Sequence, residues 1–217
     1  MNVTEAVQAR KSIRAFLDTP VPDETLRTLL NNAARAPSGG NLQPWRVFVI
    51  NGDSMGKFLS HLAEAEAQRA PAYQIYPENL KSPYRDSRFK VGEDMYALLG
   101  IPREDKAARF AHLARNYEFF GAPAGFFCFV DKQMGAPQWS DLGMFLQTFM
   151  LLAEEAGYGT CPQEAWAMRS EAVSQFVGAD ENLLLFCGMA IGKVDTQAPV
   201  NSLESDREPL EVWAKFV

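Results

Sequence analysis

The chain reads as an α+β protein in which helix outweighs strand. Three runs have the apolar character of buried strands: residues 45–50 (WRVFVI), 124–130 (AGFFCFV) and 183–191 (LLLFCGMAI). The long stretches between them repeat apolar residues at helical spacing. Residues 138–156 carry Leu142, Phe145, Leu146, Phe149, Met150 and Ala153 and are apolar nearly all round, which predicts a central buried helix.

In order along the chain, residues 2–9 allow a short helix with Val3, Ala6 and Val7 on one face. Residues 9–16, ARKSIRAF, alternate Arg10, Ser12 and Arg14 with Lys11, Ile13 and Ala15. In extended backbone this turns two guanidinium forks and a hydroxyl toward one place, which suits a phosphate or polarised carbonyl. A solvated basic edge strand is the plainer alternative. Pro20 and Pro22 lead into a helix with Asp23 and Glu24 in its first turn and Leu26, Leu29, Leu30, Ala33 and Ala34 inside. Pro37 ends it.

Residues 36–45, APSGGNLQPW, hold turn formers and hydrogen-bonding side chains between that helix and the first strand. Such a loop is either a connector or a grip on a ligand. A helix follows with Met55, Phe58, Leu59, Leu62 and Ala63 inside, predicted to run to about Pro71. From 71 to 90 the pattern dissolves into a long loop, with Tyr73, Tyr76, Tyr84 and Phe89 among Pro77, Pro83, Arg85 and Arg88. It reads as a lid or pocket wall, or as a packed excursion. Residues 95–99 look helical. Pro102 opens another helix, with Phe110, Leu113 and Ala114 as its expected inner face.

NYEFFGAP (116–123) leads into the second strand, and Gly157 is placed to stop the central helix. GTCPQEAW (159–166) follows. A short helix is then capped by Ser170, with Val173, Phe176 and Val177 inside and Gly178 beyond. The tail from Lys193 has little regular pattern, but Leu203, Leu210, Val212, Trp213 and Phe216 favour wrapping on a partner.

Composition narrows the function. A net charge of −6 argues against general attraction to nucleic acid or an anionic membrane, so any bound anion needs a local basic cluster. The three cysteines form no C-x-x-C pair, and the two histidines form no H-E-x-x-H, which argues against a built metal site and for a reduced, cytoplasmic protein. No signal-like leader and no membrane-length apolar run is seen. Gly157-Tyr158-Gly159 lacks the third glycine of a dinucleotide fingerprint, and GMAIGK (188–193) is one residue short of a phosphate loop. Glu154 and Glu155 read as solvated. With no protein nucleophile in view, the chemistry falls to a cofactor.

ARKSIRAF, APSGGNLQPW and TCPQEAW, with the late Arg207, together resemble the FMN-dependent nitroreductase family along essentially the whole chain, most nearly its nitrobenzoate-reductase-like branch. The resemblance implies one domain (1–217) with a central, mostly antiparallel sheet flanked by helices. It implies an intertwined homodimer in which an arm of about 194–217 wraps the other subunit, with FMN shared at the interface and NAD(P)H as donor. Arg10, Lys11, Ser12 and Arg14 match its phosphate- and pyrimidine-binding positions, and Pro37, Ser38, Gly39, Asn41 and Gln43 the loop supplied by the other subunit. Pro162, Gln163 and Glu164 match the segment facing flavin N5, and Arg207 matches a phosphate arginine. Many relatives carry a second basic residue where Ser205 stands here, so the phosphate is expected to lean on Arg10 and Arg207, with Lys193 as a further candidate.

The implied activity is two-electron, ping-pong reduction of nitroaromatics. Tyr73, Tyr76, Tyr84, Phe119 and Phe120 would stack on a planar substrate, and Arg85 or Arg88 would pair with its carboxylate. Reduction of quinones, halophenols or activated alkenes, or flavin binding without turnover, are the alternatives.

Overall fold

The computed structural model describes residues 1–217. Its centre is a four-stranded sheet of β1 (Arg46–Asn51), β2 (Ala124–Asp131), β3 (Gly159–Gln163) and β4 (Leu183–Gly192), in the order β1-β2-β4-β3. All three pairings are antiparallel. Eight helices surround it: α1 (Val3–Ala9), α2 (Asp23–Ala33), α3 (Asp53–Glu64), α4 (Tyr84–Leu98), α5 (Lys106–Ala114), α6 (Ala136–Glu155), α7 (Ser170–Val177) and α8 (Leu210–Trp213). No helix is long and apolar enough to cross a membrane.

The sheet is covered on both faces, which is why β2 and β4 read as nearly unbroken apolar runs. Alternate residues feed two cores. Phe126, Cys128 and Val130 meet Leu142, Phe145 and Phe149 of α6, with Leu26 and Leu29 of α2 behind them. Phe127 and Phe129 face the other way, onto Phe58 of α3, Val173 of α7 and Trp166. The predicted inner face of α6 is the buried one. Gly157 closes α6 in the left-handed region (φ 73°), and Tyr158 N–H donates back to the Ala153 carbonyl.

Several expectations are corrected. β1 is an edge strand with Val49 40% exposed, not a largely buried one, because only β2 pairs with it. GTCPQ forms a fourth strand, unrecognised because it is short and holds a proline, which an edge tolerates. α3 stops at Glu64. The irregular stretch ends at Pro83, and Tyr84, Arg85, Arg88 and Phe89 lie on α4. On α5 the faces are reversed: Phe110 is 71% and Leu113 52% exposed, while His112 is buried. Burial lowers the His112 pKa, and the nearby Arg115 and Arg14 charges add to this. Ser170 is the first residue of α7 and caps nothing.

The tail also divides. Val194 pairs with Phe16, Val200 and Asn201 are buried against their own chain, and Asp206 reaches Lys90. Only beyond this point do Leu210, Val212, Trp213 and Phe216 stand out, from 43% to 87% exposed. The part of the tail with exposed apolar side chains is therefore shorter than residues 194–217.

Candidate functional site

The ARKSIRAF segment is a fifth, irregular strip along the edge of the sheet. α1 ends at Arg10, where ψ turns to 125° and the chain extends. Ile13 N–H then donates to the Thr160 carbonyl at 2.9 Å, and Leu17 N–H to the Lys193 carbonyl at 2.8 Å. Asn201 clamps the same strip from the tail. Its side-chain oxygen accepts Arg14 N–H and its amide donates to the Ala15 carbonyl, each at 2.8 Å. Gly159 permits the close approach, since a Cβ there would lie 2.7 Å from Ile13 Cγ1 and 2.6 Å from Val194 Cγ2. With Ile13 turned into the protein, its neighbours line a cleft.

That cleft has a volume of about 640 Å³. Arg10, Lys11, Ser12 and Arg14 form one wall, and Leu203, Glu204, Ser205 and Arg207 the other. Four cations thus face one acidic residue in a protein of net charge −6. Lys11 joins them although strict alternation assigned it to the opposite side. Glu154 is half-buried rather than solvated. Burial raises its carboxyl pKa, and the Arg10 and Lys11 charges partly offset that. Lys193 is used elsewhere: its Nζ donates to the Gly157 carbonyl at 2.8 Å and sits 4.0 Å over the Tyr158 ring, so it completes the end of α6. A dianionic phosphate fits the chemistry of this donor set.

The 36–45 loop does not line its own chain's cleft; it is docked on α6. Gly39 N–H donates to Asp141 Oδ2 at 3.2 Å, Gln43 N–H to Ser38 Oγ at 3.0 Å, and Trp45 stacks on Phe145 with centroids 5.0 Å apart. Gly40, Asn41 and Gln43 all lie in the left-handed region, with φ of 58°, 57° and 48°. Two non-glycine residues held there mark a shaped, strained loop with its polar groups outward. Asp141, only 4% exposed, was not anticipated; an aspartate inside an apolar helix stripe was the available signal. Asp141→Ala leaves the Gly39 amide without its partner, so urea unfolding is expected to show a loss of about 1–3 kcal/mol.

The Gln163–Glu164 segment is held from beneath. Gln163 is 2% exposed; its amide donates to the Asn116 carbonyl at 2.8 Å and its oxygen accepts from Trp166 Nε1 at 3.2 Å. Pro162 is half-buried at the strand end; Glu164 is exposed by surface area, and partial desolvation raises its carboxyl pKa. The thiol beside this segment is inert by environment. Burial pushes Cys161 up to about 11 and Cys128 up to about 12, and raises Cys187 as well. At neutral pH a thiol reagent is expected to label none of the three in native protein and all three after denaturation.

The aromatic candidates separate. Phe119 and Phe120 are 0% and 2% exposed and belong to the core, so they present no face to a substrate. Both adopt positive φ, 49° and 56°, which lets this sharp turn drive two adjacent rings inward. Tyr73 is half-buried. Its hydroxyl donates to the carbonyl of Phe186, the extra residue of a bulge in β4, and burial raises its pKa. Tyr84 is exposed on α4. Arg85 is occupied by Asp86 at 2.9 Å and by Ser82. Tyr76 and Arg88 remain together, with Arg88 stacked 4.0 Å over the Tyr76 ring. They line a second cleft of about 1100 Å³ that shares Val91, Ser205 and Arg207 with the first. No three His, Cys, Asp or Glu side chains converge as metal ligands.

A two-faced α+β sheet with a basic edge strip, a strained glycine-rich loop and a rigid TCPQEAW segment defines the class. The chain belongs to the nitroreductase family, whose sequence model matches residues 7–193. It is 34% identical to the 4-nitrobenzoate reductase of Pseudomonas putida, over 97% of this chain and 93% of that one. It is 31% identical to the nitrobenzene nitroreductase of Ectopseudomonas oleovorans, over 99% and 96%. Among solved structures, the FMN and NADPH-dependent nitroreductase NfnB from Sphigopyxis sp. strain HMH superposes with a TM-score of 0.95 at 42% identity, covering 100% of this chain and 99% of that one.

Proposed function

We propose that this protein is an FMN-dependent, NAD(P)H-consuming oxidoreductase that reduces nitroaromatic compounds, nitrobenzoate-like ones among them, in two-electron ping-pong steps. It works as a cytoplasmic homodimer. The observation that carries this is the gathering of Arg10, Lys11, Ser12 and Arg14 with Arg207, from opposite ends of the chain, around one cleft. Related proteins named as FMN- and NADPH-dependent nitroreductases support the same reading.

Bound FMN supplies hydride acceptance from the nicotinamide and hydride donation to the acceptor. Arg10, Lys11 and Arg207 would hold its phosphate, with Ser12 as a further donor. Arg14, oriented through its own backbone by Asn201, gives a fixed positive charge for the pyrimidine edge. A preorganised charge needs no rearrangement when negative charge develops there. The buried Gln163 anchor holds rigid the Pro162–Glu164 backbone, which would support the flavin ring. Pro37, Ser38, Gly39, Asn41 and Gln43 reach the cofactor of the other subunit, and the exposed apolar residues of α5, α8 and the terminal segment cover the partner.

Anaerobic titration with NADH and with NADPH tests this. Full bleaching of stoichiometric FMN is expected, followed by reoxidation by nitrobenzoate and nitrobenzene. Yellow protein that neither nicotinamide bleaches would make it a flavin carrier instead.

A further inference from the structure

Arg207 reaches the basic cleft on a segment that little else holds. Residues 204–213 are all exposed. From Glu204 to Glu208 no backbone group is hydrogen-bonded to the backbone of another part of the chain. The Arg207 side chain donates only within its own segment, to Ser205 and Asp206, and the Glu208 carbonyl accepts only from Trp213, also in the tail. One polar contact leads from this segment to the body of the protein: Asp206 Oδ2 lies 2.9 Å from Lys90 Nζ on α4.

The other end of that contact is anchored. Asp94, one helical turn along α4, takes the same ammonium at 2.6 Å and so orients it toward the tail. Glu93 joins α4 to α5 through Arg109, whose Nη2 donates to Oε2 at 3.0 Å, and the same guanidinium stacks 4.2 Å over Tyr96. Val91, beside Lys90, lines the basic cleft, whereas Lys90 itself does not.

Charge gives the contact its importance. Arg207 stands on the wall between two clefts of opposite character. The second is lined by four carboxylates, Asp86, Asp94, Asp206 and Glu208, against three cations, Arg88, Lys90 and Arg207 itself. Glu208 has no cation of its own. A tail released from α4 has these carboxylates to draw Arg207 away from the basic side.

We infer that Lys90 is a positioning residue for the cofactor: through Asp206 it latches the tail to α4 and holds Arg207 at the basic cleft. The inference rests on the FMN reading above. Lys90 and Asp206 are 58% and 69% exposed, so the latch has the modest strength of a surface ion pair. Its loss should weaken FMN binding by about twofold to fivefold, less than removal of Arg207.

Fluorescence titration with FMN tests this, because simple electrostatics predicts the opposite sign for one variant. Asp206→Asn removes a negative charge beside a phosphate site and frees a lysine, which by charge alone tightens FMN. The latch predicts that Asp206→Asn and Lys90→Met weaken it equally, that the double variant is no worse than either, and that Lys90→Arg keeps wild-type affinity. In an Arg207→Ala background, Lys90→Met should change nothing. The three native thiols are buried, so a nitroxide can be placed at Glu208→Cys alone. In FMN-free protein its paramagnetic resonance spectrum should report a more mobile tail when Lys90→Met is added.

Tighter binding by Asp206→Asn with weaker binding by Lys90→Met would make Lys90 a direct phosphate contact and overturn the latch. Unchanged affinity or unchanged probe mobility in Lys90→Met would overturn it too. If Arg10→Ala loses FMN while the Lys90 variants match wild type, the latch fails and the FMN reading stands. Wild-type protein that binds no FMN removes both.

Discussion

Replacing Arg10 and Arg207 together with alanine is expected to yield a folded protein that loses FMN on dialysis. Both side chains line the same cleft, one from the N-terminal strip and one from the tail. Neither has an acidic ion-pair partner; Arg207 donates only to the Ser205 and Asp206 carbonyls and the Ser205 hydroxyl. A hydrogen bond to a charged group contributes about 1.5–3 kcal/mol, so each single substitution should weaken FMN binding by about tenfold to a hundredfold. The overall acidity of the protein sharpens the effect, because a net charge of −6 gives a phosphate no general attraction to the surface. Fluorescence titration of FMN measures it, and an unchanged far-ultraviolet spectrum confirms that the loss is local. Lys193→Ala should barely move the same titration, since its ammonium is held at the end of α6.

The largest expected loss of stability is at Trp166. It is 0% exposed and packs on Phe58, Phe119, Phe127 and Tyr117, with centroids 5.5, 4.9, 5.0 and 5.4 Å away. Gly188 exists to admit it: a Cβ there would lie 2.2 Å from Trp166 Cδ1. Trp166→Ala opens a cavity and should cost about 3–5 kcal/mol in chemical denaturation. Trp166→Phe keeps most of the packing but deletes the hydrogen bond to Gln163. It should therefore cost less stability while loosening the Pro162–Glu164 segment, read, if that segment supports FMN as proposed, as faster FMN release. Gly188→Ala should destabilise by overpacking, by about 1–3 kcal/mol.

The buried frame was legible because its physics is local. Runs of apolar residues at 124–130 and 183–191 become strands at Ala124–Asp131 and Leu183–Gly192, and the stripe on 138–156 becomes α6. Elements that depend on neighbours were not legible. α4 buries no residue fully and mixes charge with aromatic groups, so its sequence has no clear stripe. α5 turns Phe110 outward and His112 inward, which its apolar residues do not announce. In the site, the alternating Arg10, Ser12 and Arg14 could be read from the residues, whereas Arg207, distant in sequence, entered only through the family resemblance. Phe119 and Phe120 were misplaced because a core aromatic and a stacking platform look the same in sequence. Asp141 and Asn201 act through contacts with distant backbone, and no spacing announces them.

Mixed dimers test the shared site most directly. One chain carries Arg10→Ala and Arg207→Ala; the other carries Ser38→Ala, Gly39→Ala and Asn41→Ala. Each variant alone should be nearly flavin-free. Co-expressed and purified through two different tags, the mixed dimer should regain one intact site, and so half the FMN content and half the NADPH-dependent bleaching of wild type. A mixed dimer as empty as its parents, or a loop variant that keeps its FMN, would contradict a cofactor held between the basic strip of one subunit and the loop of the other.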